Sequence, residues 1–280
     1  MGKDAFGNGS EGIQKRMAKI TDALAGMLRK LTPAEGKPEN YFNSAIVVSG
    51  GSGTRMGDTG GVPKQLLPLL GKPVIVHTVS AFEESPIVNE IILVAREEDI
   101  PAYEQLKADY GWKKVVKIVK GGDSRPESVK NGFLAIDDRS DYVMIHDGAR
   151  CLVTPDIILR VARSAVRYGA AIAAEAATAT VKQTDDKKAA LIKTTLDRDK
   201  IMLAQTPQTF KTEIYRAALY TTMEKGLFNG GITDDAKLCE DVGFEVWTVD
   251  VGPENRKITT PFDLKIAELI LRERNEVTVK

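Results

Sequence analysis

The chain has 280 residues, 42% of them hydrophobic and 28% charged, enough apolar content for a sizeable core and too much for a disordered chain. Lys+Arg and Asp+Glu both total 39, so the formal net charge is zero and bulk attraction to nucleic acid or an anionic membrane is not expected. Two cysteines, Cys151 and Cys239, and two histidines, His77 and His146, rule out a disulfide framework and a structural zinc site. No run approaches the roughly 18 apolar residues of a membrane span, and the N-terminal stretch lacks a signal-peptide core. A cytoplasmic protein without a membrane span is expected.

Residues 1–43 stand apart as an extension. Ile13, Met17, Ile20, Leu24, Met27 and Leu31 recur at alternating steps of four and three, the heptad seam of an amphipathic helix. Docking on its own domain, pairing with another subunit and contact with a membrane surface all fit such a seam, and docking is favoured. Pro33 and the stretch to Asn43 read as a linker.

From Ser44 onward strands and helices alternate through residues 44–280. The apolar run Ala45-Ile46-Val47-Val48 suits a buried parallel strand. Further strands are predicted at Glu90 to Ala95, Val115 to Val119, Asp141 to Ile145, Ala170 to Ala174 and Phe244 to Val251. Helices are predicted at Pro73 to Glu84, Glu97 to Tyr110, Ser124 to Ile136, Pro155 to Tyr168, Lys211 to Glu224, Asp234 to Val242 and after Pro261. This alternation predicts an α/β fold, a mainly parallel twisted sheet with helices on both faces. The rhythm breaks at residues 178–196, where two short polar strands flank a turn. That hairpin has no sheet of its own to join, so it reads as a protruding arm whose partner lies on another subunit.

The strongest local signal is the Gly-rich turn Ser49-Gly50-Gly51-Ser52-Gly53-Thr54-Arg55-Met56-Gly57 after the first strand. Its glycines let the backbone approach a ligand and turn N–H groups onto phosphate oxygens. It is neither a P-loop nor a dinucleotide fingerprint, since Gly51, Gly53 and Gly57 are spaced one residue too long. Arg55 within it and Lys64 just beyond could clamp a polyphosphate and stabilise charge on a transferring phosphoryl or nucleotidyl group. Either alone would read as a solvated surface cation.

The fourth strand runs into His146-Asp147-Gly148-Ala149-Arg150 at the carboxyl edge of the sheet, where open α/β sheets bind ligands. Asp147 could hold Mg²⁺ or a substrate hydroxyl. Arg150 could reach substrate or form a buried pair with Asp147. His146 reads as a packed histidine rather than a general base, and no activated nucleophile accompanies it. Gly121-Gly122-Asp123-Ser124-Arg125-Pro126-Glu127-Ser128 enters a helix and could read a base or ribose, or simply be an N-capped helix start.

In this order, these segments together with Pro63-Lys64-Gln65, Gln205-Thr206-Pro207-Gln208, Thr233-Asp234-Asp235-Ala236 and Asn255-x-Lys257-Ile258-Thr259 carry a resemblance. From Ala45 to the last helix the chain resembles the 2-C-methyl-D-erythritol 4-phosphate cytidylyltransferase family of the non-mevalonate isoprenoid pathway. The resemblance implies a Rossmann-like nucleotidyltransferase that moves CMP from CTP to methylerythritol phosphate. The resemblance further implies in-line attack, a need for Mg²⁺ or another divalent cation, and release of pyrophosphate. It implies that Arg55 and Lys64 are catalytic, and that Ser49, Gly50, Gly51, Ser52 and Gly53 cradle the triphosphate. Gly122, Asp123 and Ser128 would recognise the nucleoside, while Asp147 and Lys257 would position substrate and metal-bound phosphates, the metal resting mainly on CTP. Arg150 and Thr233 fall at substrate-binding positions. Thr180 and Arg198, on and beside the hairpin, match arm residues that bind the substrate phosphate across a homodimer interface.

Two positions depart from the family pattern: Cys151 replaces a proline and Gly148 the commoner alanine, changes expected to spare the fold and to loosen the loop that carries Asp147. A cytidylyltransferase for ribitol 5-phosphate or a related polyol phosphate is the nearest alternative, and Ser128-Val129 and the Thr233 to Ala236 segment tilt against it. An inactive nucleotide-binding regulatory protein is the remote one, and it would lack cations at 55 or 64.

Overall fold

The computed structural model describes residues 36–51, 56–57, 60–186, 190–226, 228 and 231–278. The expected N-terminal helix, and Ser52, Gly53 and Arg55 of the Gly-rich turn, lie outside the described residues. In chain order the strands are β1 (Asn43–Val48), β2 (Pro68–Leu69), β3 (Lys72–Pro73), β4 (Glu90–Ala95), β5 (Val115–Lys120), β6 (Tyr142–Asp147), β7 (Ala170–Ala176), β8 (Lys182–Thr184), β9 (Ile192–Thr195), β10 (Met202–Lys211) and β11 (Trp247–Asp250). The helices are α1 (Val74–Glu84), α2 (Ile100–Tyr110), α3 (Arg125–Phe133), α4 (Pro155–Tyr168), α5 (Thr212–Glu224), α6 (Asp235–Glu240) and α7 (Pro261–Thr278).

Apolar runs with no polar alternation must be covered on both faces, and β1, β4 and β6 are. Ile46 of β1 points into a core shared with Val129 and Phe133 of α3 and Ile214 and Tyr215 of α5. Its neighbours Ala45 and Val47 point the other way, against Val79 and Phe82 of α1, Tyr103 of α2 and Ile158 of α4. The seven-stranded sheet runs β11-β7-β10-β6-β1-β4-β5. β1 pairs in parallel with both β4 and β6, so the chain builds outward to one side of β1 and then returns to the other. That reversal opens a crevice at the carboxyl ends of β1 and β6. α3 lies close on this part of the sheet because Gly132 has no side chain. A Cβ there would come within 2.6 Å of Ile46 Cγ2 and 2.8 Å of Val94 Cγ2.

The expected mainly parallel α/β architecture is present; the small β2–β3 pair, and β10 within the seven-stranded sheet, are strands that the sequence reading does not assign. β10 pairs antiparallel with both β6 and β7, in the middle of the sheet. Pro207 argues against a central strand, since proline cannot donate to a ladder. The ladder accommodates it through an irregularity. Pairing with β7 passes from Ala204↔Ala174 to Gln208↔Ile172, so Gln205, Thr206 and Pro207 bulge opposite a single residue. The hairpin is as expected: β8 and β9 pair only with each other, Lys182 opposite Thr195, and carry exposed Leu191 and Ile192 away from the main sheet.

Candidate active site

A cleft of about 400 Å³ opens at the carboxyl ends of β1 and β6. Val48, Gly50 and Gly51 line it from β1, with Lys64 and Gln65 from a short turn after Pro63. Gly122, Asp123, Ser124, Arg125 and Ser128 line it from the start of α3, and Asp147, Ala149, Lys257 and Thr259 complete it. Its walls thus bring three cations, Lys64, Arg125 and Lys257, around two carboxylates and a backbone turn free of side chains, an arrangement suited to polyphosphate.

Asp147 is the electrostatic centre. Its Oδ1 accepts from Arg125 Nε at 3.2 Å and its Oδ2 from Lys257 Nζ at 2.7 Å, while Arg150 Nε lies 3.8 Å from Oδ2. Burial alone would raise this carboxyl, but Arg125, Lys257 and Arg150 outweigh burial and hold it well below the usual carboxylate range. Arg125 also reaches away from the cleft, where its Nη2 donates to Asp235 Oδ2 at 2.8 Å. Asp235 Oδ1 accepts from Tyr215 Oη at 3.0 Å. Gln208 Oε1 accepts the N–H groups of Asp235 and Ala236, each at 3.0 Å, and Asp234 caps the start of α6 by accepting from Lys237 N. The Gln-Thr-Pro-Gln and Thr-Asp-Asp-Ala segments therefore act as one buried bracket behind Arg125.

His146 is fully buried, and burial pushes its pKa down to about 3. Its Nε2 contacts the Arg150 carbonyl at 3.2 Å, so that nitrogen carries the proton. Its Nδ1 then accepts from the Thr206 hydroxyl at 3.0 Å, and Thr206 Oγ1 in turn accepts the Asp147 N–H at 3.0 Å. With both ring nitrogens committed, His146 is a neutral strut and not a base. Arg150 sits behind Asp147, donating to the Asn255 carbonyl at 2.9 Å, and Asn255 Nδ2 ties back to Gln205 Oε1 and the Thr206 carbonyl.

The loop after β6, which Gly148 and Cys151 were expected to loosen, is tied by hydrogen bonds on both sides of Gly148. Gly148 N donates to the Val48 carbonyl at 2.8 Å, Thr78 Oγ1 donates to the Gly148 carbonyl at 2.9 Å, and Arg150 N returns to the Asp147 carbonyl. Cys151 fills apolar space beside Leu69, Val74 and Leu152.

Of the sequence-predicted residues, Gly50, Gly51, Lys64, Gly122, Asp123, Ser128, Asp147 and Lys257 converge on the cleft, and Arg150 underlies it. Ser49 supports the turn from beneath: its N–H donates to the Val94 carbonyl and its hydroxyl bonds to that of Tyr103. Ser128 shapes the turn before α3, accepting the Gly122 N–H at 3.1 Å and donating to the Ser124 carbonyl at 2.9 Å. Thr180, Arg198 and Thr233 are exposed and line no part of the cleft of their own chain. Arg125, Gln65 and Thr259 belong to the cleft but were not singled out as site residues. Arg125 carried a signal, because a cation in the first turn of a helix opposes the macrodipole and needs an acidic partner. Among the described residues no cluster of three metal-type ligands occurs, and no helix is long and apolar enough to cross a membrane.

A Gly-rich turn and a cationic cleft at the reversal point of a mainly parallel sheet mark an α/β protein built to hold a nucleotide or another polyphosphate. Residues 44–273 match the family model described as 2-C-methyl-D-erythritol 4-phosphate cytidylyltransferase. A curated protein of that name from Acidobacterium capsulatum is 39% identical over 235 residues, covering 82% of this chain and 97% of its own. The solved 4-diphosphocytidyl-2C-methyl-D-erythritol synthase from Anaerococcus prevotii superposes with a TM-score of 0.70 at 29% identity, covering 83% of this chain and 99% of its own. The 2-C-methyl-D-erythritol 4-phosphate cytidylyltransferase of Francisella tularensis superposes with a TM-score of 0.68 at 30% identity, over 81% of this chain and 99% of its own. The chain belongs to the 2-C-methyl-D-erythritol 4-phosphate cytidylyltransferase family.

Proposed function

We propose that this protein transfers CMP from CTP to 2-C-methyl-D-erythritol 4-phosphate, releasing pyrophosphate. The observation that carries the mechanism is the convergence of Lys64, Arg125 and Lys257 on the Gly50-Gly51 turn beside Asp147. The triphosphate lies along the turn, with its oxygens on backbone N–H groups and cations. The substrate phosphate attacks the α-phosphorus in line, and Lys64, with Arg55 from the same turn, stabilises the charge that builds on the five-coordinate centre. Direct attack by the substrate phosphate needs no covalent intermediate, and the one histidine near the cleft, His146, has both ring nitrogens committed elsewhere. Gly122, Asp123 and Ser128 hold the nucleoside, and Lys257 and Arg150 keep Asp147 ionised and oriented.

The donor set fits a divalent cation that arrives with its nucleotide. Mg²⁺ typically takes one or two carboxylates plus phosphate oxygens and water, and Asp147, which lines the cleft, would be its carboxylate, exchanging a cation partner for the ion. When bound with the nucleotide, such an ion would supply charge neutralisation at the phosphate oxygens. Incubating the protein with CTP, Mg²⁺ and each polyol phosphate separately, and measuring pyrophosphate release, tests the assignment. Release with methylerythritol phosphate alone is expected, and release with ribitol 5-phosphate alone would overturn it.

We further propose a homodimer with exchanged arms. Thr180 and Arg198 are exposed and flank a hairpin that, among the described residues, joins no other strand of its own subunit, so they would complete the substrate phosphate site of a second copy. Deleting residues 183–191 is expected to abolish turnover and shift the mass in solution towards monomer. An intact protein that is active as a monomer would defeat this reading.

A further inference from the structure

Asp235 is fully buried, lines no part of the cleft, and is nonetheless bonded to a residue that does. We propose that Asp235 is a positioning residue for nucleotidyl transfer, acting through Arg125 on Asp147 and Lys257. The inference rests on the reading of Asp147 and Lys257 as site residues.

The argument is geometric. Arg125 is the first residue of α3, where the helix dipole repels a cation and where a long side chain has many rotamers. Its fork is nevertheless split between two acids on different elements, Nε to Asp147 at 3.2 Å and Nη2 to Asp235 at 2.8 Å. The shorter bond lies on the buried side. Asp235 is itself immobilised, with Tyr215 on its second oxygen and Gln208 on its backbone N–H. Anchored in this way, Arg125 can offer Asp147 only one nitrogen. Asp147 Oδ2 is left to Lys257, which holds it at 2.7 Å. Without the anchor the guanidinium is free to turn and take both oxygens of Asp147 in the bidentate manner arginine prefers, displacing Lys257. Asp235 thereby decides where the Lys257 ammonium stands, although it touches no substrate.

The test is steady-state kinetics on Asp235→Asn, Arg125→Gln, Arg125→Lys and the Asp235→Asn/Arg125→Gln double variant, with thermal unfolding measured alongside. Asp235→Asn keeps the size of the side chain and is expected to lower kcat about tenfold, with KM for CTP changed less than about twofold. Residues acting through one another are non-additive, so the double variant should lose no more kcat than Arg125→Gln alone. Arg125→Lys keeps the charge but cannot span both acids, and should fall with Arg125→Gln. Wild-type kcat in Asp235→Asn, multiplying losses in the double variant, or full activity in Arg125→Lys would each overturn the proposal. Should Asp235→Asn fail to fold, Tyr215→Phe, which frees one oxygen of Asp235, is expected to show a smaller loss in kcat at unchanged KM, and wild-type kcat there would overturn the proposal too. Asp147→Asn separates the two levels of the argument. An active Asp147→Asn enzyme would remove the reading of the site, whereas an inactive one beside a fully active Asp235→Asn would remove only this inference.

Discussion

Lys64 is a buried cation held in a short turn after Pro63, with its side chain at the cleft wall. Removing one preorganised donor of this kind costs about 10²–10³ in rate, or about 3–4 kcal/mol. Lys64→Ala is therefore expected to lower kcat by that factor in a pyrophosphate-release assay, and a variant within twofold of wild type would take Lys64 out of the mechanism. Position 148 makes a different kind of prediction. A Cβ on Gly148 would sit 2.9 Å from Ile75 Cδ1 and 3.0 Å from the Val48 carbonyl oxygen. Ile75 is thus matched to the glycine that this chain carries where relatives were expected to have alanine. Overpacking costs about 1–3 kcal/mol, and because the nearest atom is the end of a side chain, Gly148→Ala should lie at the lower bound. Adding Ile75→Val, which removes that atom, should recover part of the loss in denaturant unfolding; no recovery would place the strain at the carbonyl instead.

At the scale of elements, the start of α7 is fastened to the segment that supplies Lys257. Asp263 Oδ2 accepts from the hydroxyls of Thr259 and Thr260 at 2.6 and 2.9 Å and from their N–H groups at 3.0 and 2.8 Å. Burial works against its charge, but these donors outweigh burial and bring its pKa down to about 2. A depressed carboxyl gives stability that is complete above its unfolded value near 4 and is lost as pH falls through about 2. Asp263→Asn should therefore cost on the order of 1 kcal/mol at pH 7 once solvent screening is allowed for, and the gap from wild type should narrow as pH falls towards 2 in urea titrations. A gap that stayed constant with pH would show that the charge is not what fastens α7. How far each element was legible follows from how local its signal is. α4 was readable to its ends, since Thr154 caps it, Pro155 starts it and Gly169 stops it. β10 was not, because Pro207 vetoes a strand by every local rule and only the bulge opposite Ala173 makes room for it. The same holds in the site. Gly50, Lys64 and Asp147 announce themselves beside a strand end. Gln208 and Asp235 stand in segments that carry the family resemblance, but their joint role with Tyr215 behind Arg125 is not legible, because the three meet only once β10 is inserted beside β6.

For the molecule as a whole, the seam from Ile13 to Leu31 lies outside the described residues, and truncation tests the expectation it raises. Burying each sizeable apolar side chain is worth about 1.5–3 kcal/mol, so such a seam is costly to leave in water. Removing residues 1–35 keeps Pro38, whose carbonyl accepts from Asn43 at the start of β1. It should lower the melting temperature or solubility while leaving kcat and the KM for CTP nearly unchanged. An equally stable truncated protein that has lost turnover would assign the segment to the active site instead. The strand order also imposes a timetable on synthesis. β1, β4, β5 and β6 find every neighbour they need, save β10, among residues already made. β7 pairs only with β10 and β11, both of which lie after it in the chain. A nascent chain that stops short of Met202 therefore presents the wholly apolar Ala170 to Ala174 stretch with two unsatisfied edges, the form most prone to pairing with another copy. Release from the ribosome before β10 emerges, more than any change in the catalytic cleft, is the event this topology makes hazardous.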